Sequence, residues 1–297
     1  MTEKSLRESL EKLTRGNEEY AEMNAKIVAT RQKVLGVHMA DLRTFAKNLA
    51  REIREISDVK KLFGEIDDRI FEEVLLCGLM IFYAGNLTAG EKIALTKIYL
   101  AKVDSWAQID TFVQDLAKEK FAKNAGETDE IIRAKYWNFA LENLYSDQEF
   151  YARYGVMVLF ENFLNAEKIA AVFANLRAMP TLQNRENSRR NFAEFSNDFA
   201  KNLAENSLKN VENYYAKMAV AWLYAESAIK FFDATLREMK NPEIDGWTRR
   251  KALTKMLESR RFSDAQKTRI RNLRAKISDK NLRETDNKIR ARTKGEL

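Results

Sequence analysis

Residues 88–112, TAGEKIALTKIYLAKVDSWAQIDTF, contain the pattern that decides the fold. Apolar residues recur about every three to four positions along the first half of this stretch, which is the period of an amphipathic helix. The pair Asp104-Ser105 then offers N-cap side chains directly before a second periodic segment. Two helices joined by so short a break predict an αα-hairpin.

The same pattern runs along nearly the whole chain and predicts about fourteen helices of roughly 9–20 residues. Further candidate N-caps are Asp58, Thr88, Thr128 and Ser146-Asp147. Only 10 glycines and 2 prolines occur among 297 residues, which argues against a turn-rich β fold. We expect an all-α fold, a right-handed α-α superhelix (solenoid) of HEAT-like helical repeats; a globular helical bundle would produce a similar pattern.

The organisation predicted from composition is a single HEAT-like repeat domain over residues 1–278. A polar segment at about residues 181–210 holds seven asparagines and little continuous apolar sequence, so we interpret it as an insert between two repeats. Residues 279–297 have few core-forming side chains and predict a charged, flexible tail.

The chain has one cysteine and one histidine, too few for a thiolate metal site or for a disulfide within the chain, and the predicted exposed position of the histidine argues against a histidine-dependent nucleophile. We expect no metal and no cofactor. Cys77 lies in an apolar stretch and is predicted to be a core residue, whereas His38 is predicted to be an exposed polar residue at a helix start. The N-terminus is charged and the longest apolar run, residues 74–84, is too short to span a membrane, so we expect a cytoplasmic protein without membrane contact.

The formal net charge of +7 comes entirely from the C-terminal part of the chain. Residues 241–297 contain 17 lysines and arginines against 8 acidic residues, whereas residues 1–240 contain 34 against 36. Such a basic region is compatible with phosphate binding through counterion release, although a charged, solvated helix is the commoner explanation.

Trp106 and Asp110 lie four residues apart in SWAQIDTF and therefore share one face of the predicted helix. An indole beside a carboxylate is common in ordinary cores, so this pair alone is weak support for a functional site. Other segments must agree before the pair is assigned a role.

Several segments, in order along the chain, resemble the AlkD-like DNA alkylation repair family, the HEAT-like-repeat alkylpurine DNA glycosylases. KVLGVHMADLRTFAKNL resembles the early LGV helix of that family, and SWAQIDTF resembles its W-x-x-x-D helix. FYARYGVMVLF resembles the R-x-x-x-V helix, YYAKMAVAWLYAESAIKF the K-x-A-x-x-W helix, and DGWTRRKALTKMLESRRFS the closing repeat. The resemblance covers roughly residues 20–275, interrupted by the polar insert.

The resemblance implies a role for four residues. Asp110 would be the catalytic carboxylate, Trp106 and Trp222 would line a cleft against the deoxyribose of the lesion, and Arg153 would hold a nearby phosphate. The implied reaction is hydrolysis of the N-glycosidic bond of a purine alkylated at N3 or N7. Such a base is cationic and leaves without protonation, so the protein needs a carboxylate that stabilises the oxocarbenium-like sugar and orients water, and indole faces that favour positive charge.

The implied partner is double-stranded DNA containing alkylated purines, bound by a monomer. The basic residues that we nominate for contact with DNA are Arg249, Arg250, Lys251, Arg260 and Arg261. Arg249 to Lys251 follow Thr248 at a predicted helix start, where backbone N–H groups also attract anions. Two alternatives remain open, a non-catalytic HEAT-repeat protein that binds DNA or another nucleic acid, and a protein-interaction scaffold.

Overall fold

The computed structural model describes residues 3–53, 55–85, 87–118, 128–180 and 213–277. These residues form fourteen helices and no strand beyond one isolated bridge between Lys33 and Ile70. The prediction of an all-α fold is therefore confirmed. The predicted insert at 181–210 and the predicted tail at 279–297 lie outside the described residues.

The chain divides into two compact units, Met1–Leu164 and Asn165–Leu297. The helices of the first unit are α1 Glu3–Leu13, α2 Glu18–Val28, α3 Met39–Ala50, α4 Ile56–Glu65, α5 Phe71–Tyr83, α6 Ala89–Leu100, α7 Trp106–Lys118, α8 Asp129–Leu144 and α9 Glu149–Phe163. Those of the second unit are α10 Ile169–Arg177, α11 Tyr214–Lys230, α12 Phe232–Glu238, α13 Gly246–Glu258 and α14, residues 264–277. The single-domain organisation and the handed superhelix stay predictions.

Capping side chains start several helices where the sequence predicts. Thr88 caps α6 in a reciprocal arrangement with Glu91, and the Thr128 hydroxyl accepts a hydrogen bond from the backbone N–H of Ile131 at the start of α8. The prediction of Asp58 as an N-cap is wrong. Glu55 caps α4, and Asp58 is the residue three positions later that completes the capping box, because the helix begins at Ile56.

In the first unit, α3, α5, α7 and α9 contact one another in that order, while α6 contacts α5 and α8, and α8 contacts α9. Helix α5 also contacts α4, so it is surrounded, and every residue from Phe71 to Phe82 is buried. Cys77 lies in this core, as predicted, and burial raises the pKa of its thiol. His38 is exposed at the start of α3 and stacks on Tyr20, also as predicted.

Gly155 allows α9 to pack closely against α8. A Cβ atom at this position would lie 2.6 Å from the carbonyl oxygen of Ala140 and 2.6 Å from the backbone nitrogen of Leu144. Only a residue without a side chain permits such an approach of two helix backbones. This contact sets the position of α9, the helix that carries Arg153.

In the second unit, α11 packs against α12 and α13, and nine of its residues are buried. Tyr224 of α11 packs against Phe173 of α10, with ring centroids 5.3 Å apart. Among the described residues of both units, no helix is both long and apolar enough to cross a membrane.

Candidate active site

The start of α7 is held by a set of hydrogen bonds that reaches several distant segments. The Ser105 hydroxyl accepts from the backbone N–H of Ala107 and donates to the carbonyl of Val28, at 3.1 and 2.5 Å. The Gln108 side chain accepts from the backbone N–H of Asp104 and donates to the side chain of Gln32, at 2.9 and 2.6 Å. These bonds determine both where α7 begins and how it is rotated about its axis.

Asp110 lies one turn into α7, and its carboxylate forms an ion pair with Arg153 of α9. Arg153 donates from Nε to Oδ1 at 2.9 Å and from Nη2 to Oδ2 at 2.7 Å. Asp110 is 7% exposed and Arg153 is 4% exposed. A two-bond pair of this kind is among the stronger polar contacts in proteins, and it orients both side chains.

Burial and the arginine act on the Asp110 carboxyl in opposite directions. Burial raises the pKa of Asp110 above its ordinary value, because the charged form is poorly solvated, and the charge and hydrogen bonds of Arg153 partly oppose this rise. Burial thus disfavours the carboxylate form of Asp110, and Arg153 favours it.

Trp106 completes the group of residues in the first unit. Its indole is half-buried, and the Arg153 guanidinium carbon lies 5.9 Å from the ring centroid, within the range of a cation–π contact. Trp106, Asp110 and Arg153, three of the four predicted catalytic residues, therefore lie together. The arrangement combines an aromatic surface, a carboxylate and a cation at one place on the protein.

A second carboxylate on α7 has a similar environment. Asp115 is also 7% exposed and forms an ion pair with Arg43 of α3, with 3.2 Å between Arg43 Nη2 and Asp115 Oδ2. The Arg43 side chain is 29% exposed, against 5% for the Arg153 side chain. Sequence reasoning missed Asp115, although its position five residues after Asp110 is visible in the sequence.

Glu72 of α5 holds the LGV segment that precedes α3. Its carboxylate accepts hydrogen bonds from the backbone N–H groups of Leu35, Gly36 and Val37, at 2.9, 2.8 and 3.2 Å. Gly36 has φ 88°, and a Cβ atom there would lie 2.8 Å from Cβ of Ala21, so the position requires glycine. Sequence reasoning also missed Glu72, because an acidic residue before an apolar run is typical of the solvated first turn of a helix.

The remaining nominated residues belong to the second unit. Trp222 lies on α11 and is half-buried. Arg249 donates from Nη2 to the carbonyls of Asn241 and Ile244, at 2.5 and 2.8 Å, so its guanidinium closes the turn before α13, and burial lowers its pKa.

The other four nominated basic residues differ in their surroundings. Arg250 and Arg260 are exposed, Lys251 is half-buried, and Arg261 is paired with Glu226. None of these placements tests the proposed contacts with DNA, which stay predictions.

Residues 6–137 match the family model of DNA alkylation repair enzymes. The matched region contains the LGV segment, Trp106 and Asp110, and it ends before Arg153. This match confirms the resemblance over residues 6–137 and supports a role in DNA repair, and the resemblance of the later segments stays a prediction. No curated protein and no solved structure matches the chain significantly.

Proposed function

We propose that this chain, with its match to DNA alkylation repair enzymes over residues 6–137, is a monofunctional DNA glycosylase. Its substrates would be cationic purines alkylated at N3 or N7 in duplex DNA, and it would act as a monomer without a metal or cofactor. One observation carries the proposal. Asp110, a buried carboxylate one helical turn after Trp106, is held in one orientation by Arg153, and the guanidinium of that arginine lies 5.9 Å from the centroid of the Trp106 ring.

The reaction uses these groups as follows. The bond between C1′ and the purine nitrogen breaks, and its electron pair leaves with the base, which cancels the positive charge of the base. The oxocarbenium-like sugar that remains is stabilised by the Asp110 carboxylate. A water molecule oriented by the same carboxylate adds to C1′, and its proton passes to solvent.

The other residues would bind and position the substrate. The Trp106 face favours both the cationic base and the developing positive charge on the sugar, and Trp222 is proposed to contact the deoxyribose of the lesion. Arg153 would keep Asp110 ionised and would approach a phosphate near the lesion. Because no lysine acts as a nucleophile, the product is an abasic site in an intact strand. Arg249, Arg250, Lys251, Arg260 and Arg261 are proposed contacts with the DNA backbone.

The ion pair itself favours a second candidate function, non-catalytic binding of DNA. Both carboxylate oxygens of Asp110 accept hydrogen bonds from Arg153, and the side chain of Asp110 is only 10% exposed. A carboxylate already neutralised in this way stabilises a sugar cation less than a free one does. On this alternative the pair is structural and the protein recognises duplex DNA without releasing bases.

The test compares two asparagine substitutions on the same helix. Asp110→Asn removes the proposed catalytic carboxylate, while Asp115→Asn removes a carboxylate of equal burial that is also paired with an arginine. The purified variants are incubated with methylated duplex, and the released 3-methyladenine and 7-methylguanine are quantified against a protein-free blank.

We expect base release by the wild type and by Asp115→Asn, and release at the blank rate by Asp110→Asn with DNA affinity retained. Equal rates for the wild type and Asp110→Asn would refute the catalytic role of Asp110. DNA binding without any base release by the wild type would favour the non-catalytic alternative.

A further inference from the structure

Two adjoining grooves lie in the second unit and share two basic residues. The first has a volume of about 630 Å³ and runs between α10 and α12; the second has a volume of about 240 Å³ and runs between α12 and α14. Arg237 and Lys240 line both grooves, and Lys276 lines the second. All three residues are exposed.

The acidic residues of these grooves already have arginine partners. Glu238 pairs with Arg177, with 2.5 Å between its Oε1 and Nη1 of the arginine, and Asp233 pairs with Arg269, with 2.6 Å between Oδ1 and Nη2. Arg237, Lys240 and Lys276 have no ion-pair partner among the residues that the structure describes. The two grooves therefore carry three cations that have no ion pair there, and one of them, Lys276, lies in residues 241–297, the region that holds the basic excess of the sequence.

An extended polyanion fits this arrangement better than a single anion. The three cations are distributed along two grooves on either side of one short helix, so a ligand must offer several negative charges along its length to meet all of them. A phosphodiester backbone does so, and its affinity comes from the counterions that lysine and arginine release. The apolar side chains of Ile169, Phe173 and Pro242, which line the first groove, suit the sugar face of such a backbone.

We propose that Arg237, Lys240 and Lys276 form a binding surface for the backbone of duplex DNA, outside the group of Trp106, Asp110 and Arg153. This inference rests on the proposed function, since it takes the substrate of that function as the occupant. The surface contacts phosphates and not base edges, so it binds undamaged and damaged duplex alike. It adds affinity for DNA and leaves the chemical step unchanged.

The experiment uses fluorescence anisotropy to measure the affinity of the protein for an undamaged duplex of about 24 base pairs over a range of salt concentrations. The test variant combines Arg237→Gln, Lys240→Gln and Lys276→Gln. The control variant combines Lys12→Gln, Lys26→Gln and Lys61→Gln, which removes the same charge from three exposed lysines of the first unit.

For the test variant we expect the slope of log affinity against log salt to fall by about 2 to 3 and the affinity at physiological salt to fall on the order of 100-fold. The control should change the slope by less than about 1. An equal loss of affinity in the test and control variants, or no loss of affinity in the test variant, would overturn the proposed binding surface. The proposal would also be overturned if polyglutamate bound the wild type as tightly as duplex DNA and the test variant lost that binding. The ligand of the surface would then be an acidic peptide.

Base release under saturating substrate separates this surface from the proposed function. Unchanged release by the test variant together with its reduced salt slope supports both. If the salt slope of the test variant is unchanged and its base release is intact, the binding surface is refuted and the glycosylase proposal stands. If the test variant has a reduced slope but the wild type releases no base, the glycosylase proposal is refuted and the duplex-binding surface stands.

Discussion

Arg153 of α9 holds the Asp110 carboxylate of α7 through two hydrogen bonds, from Nε at 2.9 Å and from Nη2 at 2.7 Å. The two helices contact each other, and both side chains are buried at their interface. One contact thus links the proposed catalytic group to the packing of the first unit. Changes to either residue should alter both stability and activity, which makes the pair the best place for mutagenesis.

Base release should depend on the ionisation of Asp110. Burial raises the pKa of this carboxyl, so its protonated form persists to a higher pH than in an exposed aspartate. The active form is the carboxylate, and activity should therefore be lost as pH falls through the raised pKa. Single-turnover release of 7-methylguanine, corrected for spontaneous loss at each pH, measures the midpoint.

Arg153→Gln should move that midpoint to higher pH, because the charge that favours ionisation of Asp110 is removed. Arg43→Gln, which affects the pair on the other side of α7, should leave it in place. A midpoint at the value of an exposed aspartate, unaffected by either substitution, would contradict the assignment of Asp110 as the titrating group.

Arg153→Gln should also destabilise the fold near neutral pH by about 3–5 kcal/mol, because it leaves a buried carboxylate without its cation. Arg43→Gln is the matched comparison, and its cost should be smaller since the Arg43 side chain is 29% exposed. Urea unfolding followed by circular dichroism gives both values. A smaller loss for Arg153→Gln than for Arg43→Gln would show that burial does not determine the strength of these pairs.

Glu72→Gln should weaken the anchor of the LGV segment. The carboxylate accepts hydrogen bonds at both oxygens, from Leu35 at Oε2 and from Gly36 and Val37 at Oε1. An amide places a donor against one of these N–H groups, so we expect a loss of about 2–3 kcal/mol in the free energy of unfolding. The same substitution at exposed Glu142, which pairs with Lys97 on the surface, should cost less than about 0.5 kcal/mol.

Gly155→Ala should separate α8 from α9. The added Cβ would meet backbone atoms of Ala140 and Leu144 at 2.6 Å, and backbone cannot move aside without shifting a helix. We expect a loss of about 3 kcal/mol in the free energy of unfolding. Base release should fall as well, because Arg153 lies on the displaced helix.

Gly64→Ala is the control for that substitution. Gly64 lies within α4, and a Cβ atom there would meet nothing within 4 Å. Gly64 is the last residue but one of α4, and alanine can adopt its backbone conformation while restricting the unfolded chain more than glycine does, so this variant should gain about 0.4–1 kcal/mol. A similar change in both variants, measured by urea unfolding, would indicate that helix propensity and not the α8–α9 contact decides the result.

The start of α7 and the shared face of Trp106 and Asp110 could be predicted from sequence. Both depend on interactions within a few residues, namely an N-cap at Ser105 and the helical spacing of four. The buried position of Cys77 and the exposed position of His38 followed in the same way, from the polarity of their immediate neighbours.

The sequence by itself thus determined the helical class, the helix that carries Asp110 and the residues that share its face, because periodicity and capping are local properties of the chain. Tertiary structure decided the partners. Arg153 is 43 residues from Asp110, and Glu72 is 36 residues from Gly36. Which distant groups meet depends on how the helices pack, including close approaches such as that at Gly155, and no spacing within one helix encodes it.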